Sequence, residues 1–476
     1  MKTIVEPQKE ISVVSEADVI VVGGGPAGIG SALASARNGA KTSLIERFNC
    51  LGGMQTQCLN STFSFVDPEI QGGIIRDIIR RLEKGGGITK DTTSSTRTTR
   101  GVGAIFFDVE YYKYLLDMMM QEAGVKLMLH AFGAGAIKEG NTLKGIIIES
   151  KEGRQAVLGK VIVDSTGDAD IIWKSGAACT DEGFPAGTRK GRHMGFGYTF
   201  FIREVDINRL KAFRRTQPEE WNSLFAGKHL IKQAKAEGKL YGNRAGVLLS
   251  EVYRGGRVWV MSPQYPLPMG HHGWKVEEMT NGEIDLRKQA WSMYKLLKEN
   301  VPGFENSHID KTPNAALLRD THRMIGEYVL KYEDILTGKA FDDSIAISNM
   351  YPDVFGPDDQ HEAIRNVPPH DIPYRSLVSK DMDNLLAAGA TISADYFTWA
   401  ADRYCAPSIC TGQAAGTAAA LSVKNKVSPK KLNVKQLQET LRRQGARVTV
   451  KDVSEKVLEQ YQGKANEATL VAGRIT

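Results

Sequence analysis

The hydrophobic and polar positions near the start of the chain predict a strand, a turn, a helix and a second strand. Residues 19–22 are a short run of aliphatic, mostly β-branched side chains, typical of a buried parallel strand. Glycines and small residues follow, which predict a tight turn and a closely packed helix. Residues 42–45 predict the next strand. This part of the chain therefore predicts a βαβ unit.

The turn of this unit carries a dinucleotide-binding pattern. Gly23, Gly25 and Gly28 form G-x-G-x-x-G, in which the first glycine allows the turn and the second lets backbone approach a pyrophosphate. The third lets the helix pack close to the strand. Glu46 ends the second strand, where a carboxylate accepts both ribose hydroxyls and argues against a 2′-phosphate. The pattern predicts a Rossmann-like site.

The same periodicity predicts the remaining elements. Helices are expected at residues 72–84, 106–123 (with Asp108 as N-cap), 219–237, 282–298, 407–423 and 430–440. Strands are expected at 125–130, 143–150, 155–164, 196–203, 257–264 and 384–389, with a hairpin turn at Gly140 and Asn141 and a long loop at 85–103.

These elements predict an α/β fold: a Rossmann-like dinucleotide-binding domain with an inserted α+β substrate domain. We expect a leader at 1–16, the first part of the dinucleotide-binding domain at 17–187, the substrate domain at 188–370, the second part at 371–445 and a tail at 446–476. The chain has no second G-x-G-x-x-G after a predicted strand.

Composition excludes several classes of function. The 61 basic and 55 acidic residues are spread along 476 positions, with no block that predicts nucleic-acid binding. No apolar run is long enough for a transmembrane helix, and the N-terminus does not resemble a signal peptide. Five cysteines do not make a disulfide framework, so we expect a cytoplasmic protein. His271 and His272 are adjacent without a third ligand, so no metal site is predicted.

Four blocks of sequence resemble a known family. The segments VVGGGPAGIGSALASARNGAKTSLIER, LGGMQT, KVIVDSTGDADIIWKSGA and NLLAAGATISAD with GQAAGTAAALSV resemble FAD-dependent oxidoreductases of the glutathione-reductase superfamily. Within it, the blocks look closest to the group related to the flavoprotein component of heterodisulfide reductase and to the thiazole synthases. The resemblance implies FAD as cofactor.

The resemblance also implies which residues hold FAD. It implies that the helix near Gly412 aims its N-terminus at the N1–C2 side of the flavin, where reduced flavin carries negative charge. The full set of expected FAD-binding residues is Gly23, Gly25, Pro26, Ala27, Gly28, Glu46, Arg47, Gly52, Gly53, Met54, Gly167, Asp168, Gly389, Gly412 and Ala415.

Two departures from related families narrow the chemistry. Disulfide reductases carry C-x₄-C after the first acidic residue, whereas here Cys50 is followed by Cys58. Aromatic hydroxylases carry a late Gly-Asp motif that this chain lacks, which disfavours a hydroxylase.

Candidate catalytic residues come from the middle and late parts of the chain. Arginine suits an anionic group, and histidine or tyrosine suits proton transfer. The candidates are Arg319, His322, His370, Tyr374, Arg375 and Arg403. Together with the implied FAD and a single dinucleotide fold with a separate middle domain, they predict hydride transfer between flavin N5 and a small anionic organic substrate.

Two other functions remain open at this point. Cys405 and Cys410 form C-x₄-C, which would suit dithiol–disulfide exchange, although small buried cysteines at a tight helix approach are commoner and packing is the favoured explanation. The chain could also be a flavin electron-transfer component of a larger redox complex. The expected partners are a small-molecule substrate and either a second copy of the chain or a redox partner protein.

Overall fold

The computed structural model describes residues 2–67, 69–89, 104–185, 190–222, 225–252, 255–354 and 367–461. Its strands are β1 (Val13–Val22), β2 (Thr42–Ile45), β3 (Thr62–Phe63), β4 (Ile88–Thr89), β5 (Ile105–Phe107), β6 (Lys126–Met128), β7 (Phe132–Glu139), β8 (Thr142–Ser150), β9 (Gly153–Asp164), β10 (Cys179–Thr180), β11 (Phe196–Arg203), β12 (Leu248–Glu251), β13 (Val258–Tyr265), β14 (His308–Lys311), β15 (Arg323–Met324), β16 (Ser344–Ser348), β17 (His370–Pro373) and β18 (Leu385–Ala387). Its helices are α1 (Pro26–Arg37), α2 (Ile74–Lys84), α3 (Val109–Glu122), α4 (Asp170–Ser175), α5 (Ile207–Thr216), α6 (Pro218–Trp221), α7 (Lys228–Ala236), α8 (Val276–Asn300), α9 (Tyr332–Leu336), α10 (Tyr396–Asp402), α11 (Cys405–Asn425), α12 (Val434–Arg443) and α13 (Glu455–Leu458).

The main sheet confirms the predicted α/β fold. Its strands run β6-β2-β1-β9-β8-β7, and β18 also pairs with β9. The pairs β6–β2, β2–β1, β1–β9 and β9–β18 are parallel, while β7, β8 and β9 are joined by antiparallel pairing. Val22 pairs with Ile45 on one side and with Asp164 on the other, so the carboxyl ends of these strands meet at one edge. In open parallel sheets, ligands bind at that edge.

Helix α11 begins earlier than the sequence suggested. Gly412 was expected near its N-terminus, but the helix starts at Cys405, with Tyr404 as its extended N-cap. Proline is common at the first position of a helix, so Pro407 predicts a helix start that is two residues too late. The first turn tolerates proline at more than one position, because the N–H groups there have no helical acceptor. Gly412 instead lies against α1, where a Cβ atom would overlap the backbone of Ala27.

A second sheet carries the inserted α+β unit. Strands β12-β13-β11-β14 are all antiparallel, and their buried side chains form a core with α8 that is separate from the core of the main sheet. Met324 and the buried hydrophobic residues that follow it to Tyr374 belong to the core of the main sheet, except Ile347, which packs with Ile70, Val453 and Tyr461. The domain boundaries at 187/188 and 370/371 remain predictions.

Several local expectations need correction. The single helix predicted at 219–237 is two helices, α6 and α7, with Gly227 at a φ of +72° directly before α7. Strand β7 was not predicted, although the hairpin turn at Gly140 and Asn141 joins it to β8. Strand β1 begins at Val13, inside the expected leader.

Other expectations fall partly outside the described residues. The long loop at 85–103 is described only to residue 89, where β4 pairs with β5. The tail is described to Tyr461, which is buried and accepts a hydrogen bond from Asn349. Residues 90–103 and 462–476 lie outside the described part of the chain.

Candidate active site

A cleft opens at the carboxyl edge of the main sheet and extends towards the inserted sheet. Ten of the fifteen predicted FAD-binding residues line it, namely Gly23, Gly25, Pro26, Ala27, Glu46, Arg47, Gly53, Met54, Gly167 and Asp168. Two predicted catalytic residues, Arg319 and Arg403, line the same cleft. The fold therefore brings the glycine-rich turn and two distant arginines to one place.

The N-terminus of α1 lies at the end of the cleft where the motif predicts a phosphate. Gly25 is the N-cap and has no side chain that could accept from the first N–H groups of the helix. A Cβ atom on Gly25 would meet only the Cα atom of Gly53, 3.9 Å away, within 4 Å. The glycine thus leaves the mouth of the cleft open. Gly23 has a φ of +96°, which the turn requires.

Glu46 lies buried at the end of β2. Its Oε2 atom accepts a hydrogen bond from the Gly24 N–H at 2.6 Å, and its Oε1 atom accepts one from the Phe48 N–H at 2.8 Å. Each carboxylate oxygen has a second lone pair, so the side chain can still accept from ribose hydroxyls. The backbone therefore fixes the acid in the orientation that the motif requires.

The turn after β9 is organised by Asp164, a residue that sequence reasoning did not single out. Its Oδ1 atom accepts from the Thr166 N–H and hydroxyl, and its Oδ2 atom accepts from two N–H groups at the start of α4. Burial raises the pKa of Asp164 despite these bonds. The signal that could have found it is an acid at the end of an apolar strand.

Asp168 follows this turn and faces the cleft. Burial raises its pKa to about 6, although the nearby Arg47 guanidinium acts in the opposite direction. The Thr321 hydroxyl donates to Asp168 Oδ1 at 3.1 Å, and Arg47 lies 3.7 Å from Oδ2. Asp168 therefore links the dinucleotide end of the cleft to the segment that carries Arg319.

The other five predicted cofactor residues do not line the cleft. Two of them, Gly28 and Gly52, are glycines because a side chain would not fit. A Cβ atom on Gly28 would overlap the Gly23 carbonyl, and one on Gly52 would overlap Thr56. Gly389 donates its N–H to the Thr411 hydroxyl at 3.0 Å.

The remaining two predicted residues, Gly412 and Ala415, are buried within α11. The small size of Gly412 serves the contact between α1 and α11 rather than an approach to a ligand, since a Cβ atom there would overlap the backbone of Ala27. Close helix packing and close ligand approach select the same small residues, so the sequence pattern does not separate them.

The two arginines give the inner cleft a positive charge. Arg319 is half-buried, and desolvation together with the charge of Arg403 lowers its pKa to about 10. Gly197 makes room for it, since a Cβ atom there would lie 2.6 Å from the Arg319 Nη2 atom. Arg403 donates to Asp353 Oδ2 at 3.0 Å and stands just before the N-terminus of α11. Asp353 thus offsets one of the two charges.

The predicted proton carriers lie elsewhere. His322 stacks on Trp173 with ring centroids 5.2 Å apart, and burial lowers its pKa. His370 hydrogen-bonds Asp402 in the interior, and the Tyr374 hydroxyl donates to the Pro429 carbonyl at 3.0 Å. None of these three is among the described residues that line the cleft, because packing between elements turns them away from it.

Arg375 is also outside the cleft. Its guanidinium pairs with Asp343, with Nε 2.9 Å from Oδ2, and half of the side chain is exposed at 51%. The surface pair raises the pKa of Arg375. The structure therefore places Arg375 at the surface, away from the cleft.

The cysteine pair does not fit dithiol chemistry. Cys405 and Cys410 occupy one continuous helix, in which residues five apart have Cα atoms about 8 to 9 Å apart. A disulfide needs a separation below about 7 Å. Burial raises the pKa of both thiols to about 12, which disfavours the reactive thiolate.

Residues that the sequence reasoning did not predict complete the cleft. They are Val22, Ile45, Phe48, Ala131, Phe132 and Gly133 near the dinucleotide end, Gln57, Cys58 and residues 315–318 from the inserted unit's side, and Ser165, Thr166, Asp170, Ala388, Ala390 and Ser408 along the walls. Most are apolar or small and lie far apart in sequence, so no local motif marks them.

Two other kinds of feature are absent from the described ranges. No group of three or more histidine, cysteine, aspartate or glutamate side chains there could hold a metal ion. None of the described helices is both long and apolar enough to cross a membrane.

The cleft residues fit FAD. The start of α1 suits a pyrophosphate, Glu46 suits a ribose, and the open space above Gly25 is kept by the lack of a Cβ atom. When bound, FAD supplies the capacity to accept or donate a hydride. The protein's contribution would be to hold the cofactor and to surround it with apolar walls and the guanidiniums of Arg47, Arg319 and Arg403.

Comparisons with known proteins agree with this geometry. The family model described as FAD dependent oxidoreductase matches residues 18–441. The tRNA uridine 5-carboxymethylaminomethyl modification enzyme MnmG of Mycoplasma mycoides is 30% identical over 162 residues, covering 32% of this chain and 24% of that protein. The MnmG of Mycoplasma capricolum is 29% identical over 145 residues, covering 29% and 22%. The match thus spans about a quarter of these curated relatives.

Solved structures are similar over most of the chain at low identity. A geranylgeranyl bacteriochlorophyll reductase-like protein from Thermoplasma acidophilum has a TM-score of 0.47 at 13% identity, covering 95% of this chain and 98% of that one. The p-nitrophenol 4-monooxygenase PnpA of Pseudomonas putida has a TM-score of 0.47 at 10% identity, covering 94% and 89%. The family model, which spans both ends of the cleft, is the stronger finding, and the chain belongs to the FAD-dependent oxidoreductase family.

Proposed function

We propose that this chain transfers a hydride between flavin N5 and a small organic substrate that carries an anionic group. The observation that supports this proposal is the presence of Arg319 and Arg403 in the same cleft as the FAD-binding residues. Two guanidiniums in one cleft attract an anion, and a guanidinium binds carboxylates with two parallel hydrogen bonds. A carboxylate on the substrate fits that arrangement.

The two arginines have different surroundings, which suggests different roles. Arg403 is fixed by Asp353, whose carboxylate and carbonyl both accept from it. Arg319 follows residues 315–318, which line the inserted unit's side of the cleft, and it contacts the Gly195 carbonyl at 3.4 Å. We therefore assign Arg319 to the substrate anion and Arg403 to the shape and charge of the wall.

The inserted sheet supports the substrate side of the cleft. Cys58, Gln57 and residues 315–318 line it there, and the Thr199 hydroxyl on β11 hydrogen-bonds the Cys58 carbonyl. The Asn314 amide donates to Gln57 Oε1 at 3.0 Å. These contacts tie the inserted unit to the turn after β2, so substrate size would depend on both units. We further propose that this chain belongs to the glutathione-reductase superfamily.

Anaerobic reduction of the FAD-loaded protein tests the proposal. A panel of small carboxylic acids is compared with the matching amides while flavin absorbance is followed in a stopped-flow instrument. We expect some acids to reduce the flavin and their amides to fail. Reduction by amides at equal rates would reject the anion requirement. Failure of the acids while neutral alcohols or amines reduce the flavin would reject it equally.

Replacement of Arg319 sharpens the test. For R319Q we expect the substrate concentration for half-maximal reduction to rise about 100-fold, because a buried charge pair contributes about 3 kcal/mol to binding. FAD content should stay unchanged. R375Q is the matched control, since Arg375 lies on the surface with Asp343. Unchanged saturation in R319Q would contradict the assigned role.

A further inference from the structure

A groove lined by four arginines lies on the side of the molecule at the C-terminal end of α1. Arg37 comes from the last turn of α1, and Arg76, Arg80 and Arg81 come from α2. The groove has a volume of about 730 Å³, which is within the usual range for small-molecule sites. The flavin cleft opens at the other end of α1, about 18 Å away along a helix of 12 residues.

The positive charge of this groove exceeds what its carboxylates neutralise. Among the described residues, only Asp77 and Glu122 line it as acids against the four guanidiniums. Arg37, Arg80 and Arg81 all converge on Asp77, at 3.1, 2.9 and 3.2 Å. One carboxylate accepts about four hydrogen bonds, whereas three guanidiniums offer about fifteen donors.

The outermost arginines are available to a ligand. The Arg80 side chain is 75% exposed, and that of Arg76 is 59% exposed with Glu69 3.9 Å away. The inner arginines are held in place, because Arg81 also pairs with Glu122 at 2.7 Å. The groove therefore combines fixed guanidiniums at its base with adaptable ones at its rim.

The floor of the groove is polar and prearranged. Gln413 accepts from the Ile74 N–H at 2.9 Å and donates to Gln444 Oε1 at 3.3 Å. Gln444 in turn donates to the Asn38 side chain at 3.0 Å. A floor of side-chain amides with guanidinium walls is suited to a compact polyanion with many acceptor oxygens.

We propose that this groove binds a diphosphate group, either free or as part of a nucleotide, separately from FAD. Guanidiniums held close together repel one another, and an anion with oxygens on two linked centres can pair with several of them. A purely structural ion-pair network would not need the two exposed arginines. The proposal does not depend on the assignment of Arg319.

Calorimetric titration of the FAD-loaded protein with inorganic pyrophosphate at low salt tests the proposal. We expect binding with a Kd below about 1 mM, which corresponds to about −4 kcal/mol, and at least tenfold weaker binding to R76Q/R80Q. R215Q, on the exposed face of α5, is the matched control and should bind like the unchanged protein. Absence of binding, or equal affinity in R76Q/R80Q, overturns the proposal.

Two further measurements separate the sources and exclude a structural role. If ADP binds at least as tightly as pyrophosphate, the ligand is a nucleotide. If pyrophosphate binds and ADP does not, the ligand is a free diphosphate. If ADP binds and pyrophosphate does not, the proposal that the groove recognises a diphosphate is rejected. Without ligand, R76Q/R80Q should have a Tm close to that of the unchanged protein, because the ion pairs of these exposed arginines with Glu69 and Asp77 contribute at most about 1 kcal/mol each. A clear fall in Tm together with unchanged pyrophosphate affinity would show a structural network only.

Discussion

The Nε2 atom of His370 lies 3.0 Å from Oδ1 of Asp402, and both side chains are only 1% exposed. The other ring nitrogen of His370 lies 3.0 Å from the Pro368 carbonyl. Two acceptors on one imidazole favour its protonated form. Burial by itself lowers the pKa of His370, but the Asp402 carboxylate and the hydrogen bonds raise it overall. The pair joins β17 to α10.

This pair predicts a pH-dependent stability. Because the folded-state pKa of His370 is raised above its ordinary value of 6.5, its contribution is fully present below that value and is lost as pH rises through the raised pKa. We expect H370Q to lower the free energy of unfolding by about 3 kcal/mol at pH 6 and to flatten this part of the pH profile.

Denaturant unfolding of the apoprotein between pH 5 and about pH 9 measures this effect. R375Q serves as the control, because Arg375 takes part in an exposed ion pair worth at most about 1 kcal/mol. An H370Q profile that runs parallel to that of the unchanged protein would show that His370 does not carry the pH dependence.

At one position of the glycine-rich turn, a substitution is expected to weaken FAD binding without destabilising the fold. G25A adds a methyl group where only the Gly53 Cα lies within 4 Å, so the apoprotein should fold normally. The methyl group narrows the phosphate-binding mouth, so we expect FAD affinity to fall at least tenfold, which is about 1.4 kcal/mol.

The comparison variant is G28A, in which the added atom would overlap the Gly23 carbonyl. We expect G28A to lose both stability and FAD binding, measured by thermal unfolding of the apoprotein and by fluorescence titration with FAD. Equal losses of stability in G25A and G28A would contradict the distinction.

Replacing the Glu46 carboxylate with an amide is expected to cost one of its two hydrogen bonds to backbone N–H groups. Both of its oxygens accept from backbone N–H groups, so in E46Q the amide nitrogen must face either Gly24 or Phe48, donor against donor. An unsatisfied buried donor costs about 1–3 kcal/mol. We expect a lower Tm of the apoprotein and weaker FAD binding. E69Q, at an exposed acid beside Arg76, is the control, and a matching Tm in the two variants would count against this account.

The burial of the two thiols in α11 predicts that they react slowly with thiol reagents. Burial raises the pKa of Cys405 and of Cys410 to about 12, so neither should form a thiolate near neutral pH. We expect the folded protein to react with a thiol reagent at these positions more than 100-fold slower than after unfolding, in line with the fraction of thiolate. C405S/C410S should leave the rate of flavin reduction unchanged. A slower rate in that variant would restore the dithiol hypothesis.

Local sequence was sufficient for the elements whose signals lie within a few residues. Backbone geometry and short-range periodicity account for the turn at Gly23, the strand that ends just before Glu46, and the N-cap Asp108, which accepts from the Tyr111 N–H. The same applies to the α/β fold, because a strand–glycine–helix–strand–acid order is compatible with few other topologies.

The composition of the cleft, in contrast, was decided by tertiary packing. Arg319, Arg403 and Asp168 are distant in sequence and meet only because the inserted sheet and α11 converge on the edge of the main sheet. Gly412 shows that a small residue in the sequence does not reveal what it contacts, since its small size serves contact with α1 rather than a ligand. A residue's type limits which contacts it can make, but which neighbour occupies the space beside it depends on the packing of the whole chain.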